Sequence, residues 1–427
     1  MVIKCTKQQQ EKNNMIVAML DGRTEKLSPQ IAQMASVLFE NNKLNSNQEG
    51  SYSLQMIEQG HLCHYVFVNL ISSKKYTVRT LFLLFAAAFK TMKRNKSESV
   101  SVVLNEIEDI LTCEILSKLL ELPILVSYEF NVYKSNCSEE TLKEVEFVLN
   151  REVPDSMVEK AVVVAESTTL ARNFVNHPSN YMTAQQLAKE AEELGNQYGI
   201  DVSVYHEDKI KEWEMGCFYN VAKGSREKPE LIVMRYKGNP NEEKTIGLIG
   251  KGVMFDSGGY NLKSKMATMH DDMGGAAAVV AAVVAAARNH LPVNVTAVVA
   301  ACKNMLSDTA QVPGDIIKSM SGKTVEMLNT DAEGRLTLVD AITYAIREEK
   351  VDVVIDIATL TGAAKGAVGN KCAAVLSNDD NWYQITKKAS NESAEKIWRL
   401  DLDEELRSCL NSPVADIRNV SLGGTQG

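Results

Sequence analysis

Four acidic residues in the second half of the sequence could do chemistry together, because they stand in three loops that follow predicted strands. They are Asp256, Asp272, Asp331 and Glu333. Carboxylates that converge near neutral pH repel one another, and each is costly to bury without a partner. Divalent cations remove that conflict, and four carboxylates could hold two ions about 3.5–4 Å apart. Such ions lower the pKa of a bridging water and polarise a carbonyl, as in two-metal hydrolases.

Local structure offers a simpler explanation for each acid taken alone. An aspartate in a loop is usually a turn or cap residue, and Asp272 could cap the helix predicted after it. Asp331 and Glu333 could be acids that favour the start of a helix. Alternatively, residues two apart in an extended segment point the same way, so both could face one site, with Arg335 following if the extension continues. The joint placement of the four acids favours a shared site, but their spacing leaves the reaction open.

The sequence around the acids alternates strand patterns with helix patterns. Strands are predicted at 200–205, 230–236, 245–250, 293–301, 324–328 and 351–358, and helices at 157–173, 184–194, 274–289 and 336–349. Strands that alternate with long helices predict a mixed or mostly parallel sheet covered by helices. In such sheets, ligands collect in loops at the carboxyl ends of the strands. The acids fall in those loops, and Asp256 is expected in a glycine-rich loop just past the strand at 245–250.

The first 155 residues also show an α/β pattern, without a cluster of acids or histidines. Strands are predicted at 64–70 and 122–128, and helices at 76–92 and 100–120. A charged stretch at 134–155 is a plausible linker. We therefore predict an α/β protein of two domains, 1–155 and 156–427, each with a mixed or mostly parallel sheet covered by helices.

Composition excludes several classes of protein. A net charge of −9 and a pI of about 5.4 argue against a general nucleic-acid binder, which needs a basic face. The N-terminus has no apolar signal core, and the longest apolar runs, 81–89 and 276–287, are too short to span a bilayer. The eight cysteines are scattered without a Cys-x-x-Cys pair, which is typical of reduced thiols. The sequence predicts a cytoplasmic protein that does not enter a membrane.

The segment 329–336, Asn-Thr-Asp-Ala-Glu-Gly-Arg-Leu, resembles the signature of the leucyl aminopeptidase family, the cytosol aminopeptidases. The segment 251–263, Lys-Gly-Val-Met-Phe-Asp-Ser-Gly-Gly-Tyr-Asn-Leu-Lys, is similar to the family's other hallmark. Further segments match at 170–178, 272–275, 356–362 and 412–416. The resemblance extends from about residue 167 to residue 416 and is weak over the first 150 residues, where the family's N-terminal domain varies.

The resemblance implies a site for two divalent metal ions per chain. Zinc is the first candidate for these ions, and manganese is the alternative. Its ligands would be Lys251, Asp256, Asp272, Asp331 and Glu333, with Asp256 and Glu333 bridging the ions. Lys251 is an unusual ligand, because an amine must lose its proton before it can bind a metal. A dication at bonding distance supplies that shift in pKa.

The resemblance also implies roles in catalysis and substrate binding. Lys263 would polarise the scissile carbonyl, and Arg335 would hold a bicarbonate ion that acts as a general base. The positions around the substrate would be Met269, Asn329, Thr359, Leu360 and Gly362. A free α-amine bound by one ion would restrict cleavage to the N-terminal residue of a peptide, preferably Leu or another apolar residue. The implied assembly is a homohexamer.

Two features depart from the family's pattern. The link from Lys263 to Asp272 is shorter than usual and carries His270 and Asp271. The chain ends inside a glycine-rich loop at 419–427, so we expect 156–427 to be an incomplete catalytic peptidase domain. These departures leave open a second interpretation, a non-catalytic structural or nucleic-acid-binding relative that retains the fold. A two-metal hydrolase of other amides is a third.

Overall fold

The structure, a computed structural model, describes residues 1–7, 13–136 and 141–421. Its strands are β1 (Val2–Thr6), β2 (Asn14–Leu20), β3 (Gly50–Glu58), β4 (His61–Leu70), β5 (Ser99–Val103), β6 (Glu144–Val148), β7 (Asp201–Tyr205), β8 (Glu230–Lys237), β9 (Thr245–Asp256), β10 (Asn294–Asn304), β11 (Ile316–Lys318), β12 (Thr324–Glu326), β13 (Val353–Ile357), β14 (Ala373–Val375), β15 (Ile397–Arg399) and β16 (Ile417–Arg418). Its α-helices are α1 (Pro29–Glu40), α2 (Val78–Arg94), α3 (Cys113–Ser127), α4 (Asp155–Asn176), α5 (Ala184–Tyr198), α6 (Glu207–Glu212), α7 (Gly216–Ala222), α8 (Gly274–Arg288), α9 (Gly334–Arg347), α10 (Gly362–Val368), α11 (Asp380–Glu392) and α12 (Glu404–Ser408). Short 3₁₀ helices occur at Asn105–Ile110 and Met269–Asp271.

The chain forms two compact units. The first comprises Met1–Glu166 and Asp379–Ile397, and the second comprises Ser167–Asn378 and Trp398–Gly427. These units differ from the predicted domains in two respects. Helix α4 begins at the predicted boundary, and the division between the units falls inside this helix, after Glu166. Helix α11 belongs to the first unit, where Arg79 Nη1 donates to the carbonyl of Ala394, just after α11, at 2.5 Å. A local composition pattern shows neither feature, because both depend on contacts between residues far apart in sequence.

The first unit is built on a six-stranded sheet in the order β1-β6-β5-β2-β4-β3. All neighbouring strands are parallel except β3, which forms an antiparallel hairpin with β4. Every residue of β2 is buried, and its side chains alternate between two cores. Ile16 packs with Phe85 of α2, whereas Val17 packs with Ile31 of α1. This is the pattern of a central strand with helices on both faces.

The helix predicted at 100–120 is confirmed only over its second part, and the strand predicted at 122–128 is wrong. Residues Ser99–Val103 form a central strand, and the following Leu-rich segment Cys113–Ser127 is helix α3. Thr112 caps this helix, because its Oγ1 accepts from the Ile115 amide at 3.3 Å. A short apolar run is ambiguous between a buried strand and a buried helix, so only the tertiary environment separated these two elements.

The second unit contains a five-stranded sheet in the order β13-β9-β10-β8-β7. Strands β13, β9 and β10 are parallel, and β8 and β7 continue the sheet in antiparallel fashion. Successive residues of β10 face opposite cores, with Val299 packing beside α8 and Val298 beside α7 and α9. The predicted mixed sheet covered by helices is therefore confirmed.

Helix α8 approaches the sheet closely because small residues line both surfaces. A Cβ placed on Gly250 of β9 would lie 2.7 Å from Ala276 Cα, and one on Gly275 would lie 1.9 Å from the Ile357 carbonyl oxygen. The predicted apolar run at 276–287 is this buried helix. Within the three described stretches of chain, no helix is both long enough and apolar enough to cross a bilayer.

Asp340 of α9 stabilises the second core by accepting two backbone hydrogen bonds in a buried position. Its Oδ2 accepts from the Phe218 amide at 2.9 Å, and its Oδ1 accepts from the Met320 amide at 2.8 Å. We expect Asp340→Ala to lower the free energy of unfolding by about 2–5 kcal/mol, because two buried donors lose their acceptor. Urea denaturation measures this change, and Glu348→Ala at the exposed end of the same helix is the control.

The same carboxylate should give unfolding a pH dependence. Burial raises the pKa of Asp340 to about 6, above its ordinary value of 3.8. The folded protein then binds more protons than the unfolded chain between these values, so this group makes the free energy of unfolding fall as the pH rises from about 4 to about 6. Asp340→Ala is expected to flatten the slope in that window, and an unchanged slope would contradict the assignment.

Candidate active site

The parallel strands of the second unit bring their carboxyl ends to one edge of the sheet. Asp256 is the last residue of β9, and it lies in register with Asn304, the last residue of β10. The predicted strand end at residue 250 was too early, since β9 continues through Lys251 to Asp256. Lys251 is therefore held by the strand itself, and Asp256 stands at the strand end rather than in the following loop.

Asp331 and Glu333 reach this edge from a turn and not from an extended segment. The Ala332 amide donates to the Asn329 carbonyl at 3.1 Å, and Glu333 has helical backbone angles, φ −81° and ψ −34°. The predicted extension is wrong, and Arg335 lies in the first turn of α9. Glu333 occupies the N-cap position but makes no capping hydrogen bond, so its carboxylate is available to the site.

Lys251 lies at the centre of one half of the site. Its Nζ is 2.7 Å from Asp272 Oδ2 and 2.9 Å from Glu333 Oε1, and it donates to the Thr359 carbonyl at 3.1 Å. The lysine side chain is only 2% exposed. Burial alone would lower the pKa of Lys251, but the two carboxylates outweigh burial and raise it.

Lys263 occupies the other half of the site. Its Nζ lies 2.8 Å from Asp256 Oδ2 and 2.5 Å from Asp331 Oδ1. Desolvation opposes its charge, but these carboxylates raise its pKa, so the ammonium form is held at neutral pH. The second oxygen of Asp256 accepts from the Gly258 amide at 2.9 Å and from Asn304 Nδ2 at 2.8 Å. Asp256 is thus oriented from both sides.

The four acids fit divalent cations. Oxygen atoms of Asp256, Asp331 and Glu333 lie within 4.8 Å of one another. One buried oxygen each of Asp272, Asp331 and Glu333 accepts no well-aligned hydrogen bond, although two of these oxygens lie at ion-pair distance from a lysine. Burial raises the pKa values of Asp272 and Glu333, and the neighbouring Asp256 raises them further against the effect of Lys251. Divalent cations would coordinate these crowded, desolvated carboxylate oxygens and offset their mutual repulsion.

Two of the five predicted substrate positions join this cluster. Thr359 Oγ1 donates to Asp272 Oδ1 at 2.7 Å, and Asn329 Oδ1 accepts from the Asp331 amide at 2.8 Å. The remaining three are Met269 at the start of a 3₁₀ helix, Leu360, which is 39% exposed, and Gly362 at the start of α10. In the part of the chain that the structure describes, no hydrogen bond links these three to the acids.

Arg335 is partly buried beside the acids. Its Nη1 donates to the Asn419 carbonyl at 3.0 Å, and its buried Nε has no hydrogen-bond partner among the described residues. Burial lowers its pKa, an effect that Glu333 opposes. One donor of the guanidinium is therefore left unsatisfied by the described residues.

The sequence analysis missed the polar residues that connect the acid-bearing loops. Asn304 Nδ2 bonds both Asp256 and the Thr330 carbonyl. Thr330 Oγ1 donates to the Gly258 carbonyl at 2.6 Å, and Asn261 Oδ1 accepts from the Thr330 amide at 2.8 Å. A signal existed for Asn304, because it ends the strand that follows β9. Asn261 and Thr330 lie inside the family segments 251–263 and 329–336, so the family resemblance was the signal that could have found them.

Gly334 gives Lys251 the space that it occupies. A Cβ on Gly334 would lie 2.5 Å from Lys251 Cε and 2.7 Å from its Nζ. We expect Gly334→Ala to displace the lysine and to weaken Mn²⁺ binding by roughly 10–100-fold, as disturbance of the surroundings of metal ligands commonly does.

Isothermal titration with Mn²⁺ measures the effect of Gly334→Ala. Gly366→Ala, which lies in α10 with no atom within 4 Å of its new Cβ, is the matched control. Equal Mn²⁺ affinities in the two variants would contradict this role of Gly334.

Comparisons with known proteins identify relatives of this chain. A model described as the cytosol aminopeptidase family, catalytic domain, matches residues 169–427. A probable cytosol aminopeptidase of Clostridium perfringens (strain 13 / Type A) is 38% identical over 426 residues, which cover 98% of this chain and 86% of that protein. The structure of a tomato leucine aminopeptidase mutant is similar with a TM-score of 0.87 and 29% identity, covering 100% of this chain and 86% of that one. The structure of the bottromycin maturation enzyme BotP in complex with Mn is similar with a TM-score of 0.83 and 29% identity, covering 96% of this chain and 86% of that one.

The fold and these comparisons define a metal-dependent hydrolase of peptide bonds. The chain belongs to the cytosol aminopeptidase family. The predicted family and enzyme class are thereby confirmed. The activity of the family is that of a metal-dependent aminopeptidase acting on peptides.

Proposed function

We propose that this chain removes N-terminal residues from peptides with the help of two divalent cations. The ligands would be Lys251, Asp256, Asp272, Asp331 and Glu333. The observation that carries the proposal is the convergence of four carboxylates, three of them with a buried oxygen that lacks a well-aligned hydrogen bond. Zn²⁺ is the first candidate. Mn²⁺ is the second, and the Mn complex of a similar enzyme supports it.

Bound cations at this site supply a water of lowered pKa and a polarised carbonyl. Lys263 holds a proton between Asp256 and Asp331, and its ammonium group stabilises negative charge that develops on the carbonyl oxygen. Arg335, whose buried Nε has no hydrogen-bond partner among the described residues, would hold an anion such as bicarbonate, and that anion would supply a general base. Thr359 orients Asp272 through the 2.7 Å hydrogen bond.

The substrate would enter with its free α-amine toward the acids. We assign Met269, Asn329, Thr359, Leu360 and Gly362 to substrate binding. Met269 and Leu360 supply apolar surface, and Leu360 is 39% exposed and free to contact a side chain. This surface supports a preference for N-terminal Leu and other apolar residues, although a hydrophobic pocket distinguishes one methylene by only about 10–200-fold.

Release of Leu from Leu-Gly tests the proposed activity. Purified protein with added Mn²⁺ or Zn²⁺ is expected to hydrolyse Leu-Gly, and a chelator should abolish the reaction. N-acetyl-Leu-Gly is the matched control, since it lacks the free amine and should not be cleaved. Absence of hydrolysis by a folded, metal-loaded protein would overturn the proposal, and equal cleavage of the blocked peptide would refute the exopeptidase mechanism.

The resemblance to the family also supports a homohexamer located in the cytoplasm. Light scattering coupled to size-exclusion chromatography tests the assembly, because a hexamer of 47.1 kDa chains is easily distinguished from a monomer. A monomeric species with full peptidase activity would contradict a requirement for assembly.

A further inference from the structure

Asn419 lies directly beneath the turn that carries Asp331. It follows β16, which pairs in parallel with β12, and β12 leads into residues 327–332, called here the acid turn. The Asn419 amide extends the pairing by donating to the Glu326 carbonyl at 3.0 Å. The residue is only 3% exposed, so its side chain must find its partners inside the protein.

The side chain of Asn419 uses both ends of its amide on the acid turn. Its Oδ1 accepts from the amides of Leu328 at 2.9 Å and Asn329 at 3.3 Å. Its Nδ2 donates to the Asn329 carbonyl at 2.7 Å and approaches the Ala332 carbonyl at 3.4 Å. One side chain thus satisfies buried donors and acceptors of the acid turn.

These contacts lead to two groups of the active site. The backbone amide and carbonyl of Asn329 both bond the Asn419 side chain. The Asn329 side chain in turn accepts from the Asp331 amide through its Oδ1 at 2.8 Å. Asp331 in turn lies 2.5 Å from Lys263. The backbone carbonyl of Asn419 accepts from Arg335 Nη1 at 3.0 Å. A single residue therefore links the position of an acid with the position of the guanidinium.

We propose that Asn419 is a positioning residue for the peptidase reaction. It acts through Asp331 and Arg335 and does not touch the substrate itself. The proposal rests on the roles given above to these two residues. An asparagine is required because the acid turn presents amide donors and a carbonyl acceptor to the same side chain, which only a carboxamide can match in this geometry.

Three variants separate positioning from general stability. Asn419→Ala removes both ends of the carboxamide. Asn419→Asp keeps the acceptor but places a second oxygen against the Asn329 carbonyl. Asp416→Ala is the matched control, because Asp416 bonds the Thr324 amide at 2.8 Å and its hydroxyl at 3.0 Å, in the same strand pair but away from the acid turn.

The measurements are kcat and KM for Leu-Gly, Mn²⁺ affinity by calorimetry, and the melting temperature without metal. Both Asn419 variants are expected to lose roughly 10–100-fold in kcat and in Mn²⁺ affinity, with a smaller change in KM. Asp416→Ala should retain kcat and Mn²⁺ affinity within about threefold of wild type. In the Arg335→Ala background, Asn419→Ala should lower kcat by a smaller factor than it does in wild type, because the proposal couples the two residues.

Two results would overturn the proposal. One is an Asn419→Ala protein with wild-type Mn²⁺ affinity and kcat. The other is an Asp416→Ala protein with the same losses, which would make the effect one of stability. If wild type binds Mn²⁺ but does not cleave Leu-Gly, the proposed function fails, while Mn²⁺ affinity still decides whether Asn419 positions Asp331.

Discussion

Replacement of Lys263 by methionine is expected to lower kcat for Leu-Gly by about 10²–10³-fold, the usual cost of removing one preorganised donor to a developing oxyanion. The Lys263 ammonium lies between two carboxylates, with its side chain 22% exposed, so a positive charge is fixed at the edge of the acid cluster. Methionine has a similar length and no charge. Because the charge on the carbonyl oxygen develops in the transition state, KM should change far less than kcat.

Steady-state kinetics at saturating Mn²⁺ measures this loss. Lys265→Met is the control, because it removes the charge of an exposed lysine two residues away. A Lys263→Met protein with a raised KM and an unchanged kcat would show that Lys263 binds substrate without stabilising the transition state. Wild-type values for both constants would remove Lys263 from the mechanism.

Replacement of Glu333 by glutamine should abolish the response of the protein to metal. Glu333 is almost completely buried, pairs with Lys251 at 2.9 Å and has a second oxygen that accepts no hydrogen bond from the described residues. Glutamine keeps the shape but removes the negative charge that would neutralise the cations. We expect Mn²⁺ affinity to fall by at least about 10²-fold, since the loss of a residue that only supports a metal ligand already costs about 10–100-fold, and kcat/KM should fall with it.

Thermal unfolding with and without Mn²⁺ gives a readout that is independent of activity. A metal that binds only the folded protein adds about 2.7 kcal/mol at a concentration of 100 Kd, so the melting temperature of wild type should rise clearly. The Glu333→Gln protein should show almost no rise, whereas Glu348→Gln on the exposed end of α9 should behave as wild type. An equal rise in all three proteins would exclude Glu333 as a metal ligand.

The sequence was sufficient where the signal is local. The helix predicted at 184–194 is α5, and Thr183 caps it, because its Oγ1 accepts from the Gln186 amide at 3.1 Å. The helix predicted at 274–289 is α8, and the strand predicted at 230–236 is β8. The four acids and two lysines were identified from residue types, glycine-rich loops and the family signature, and the structure brings all six together. Residue type and near-neighbour periodicity suffice for these features because a helix or strand is a short-range pattern.

Only the tertiary structure decided how those residues are held. It placed Asp331 and Glu333 in a turn, extended β9 to Asp256 and put Asn304 in register with that residue. It also brought Asn419 under a turn about 90 residues away in sequence. Parallel strand pairing and buried side-chain hydrogen bonds join segments whose order along the chain carries no mark of their contact. The sequence by itself therefore determined which groups can do the chemistry, and the long-range packing of the sheet decided which of them meet and what orients them.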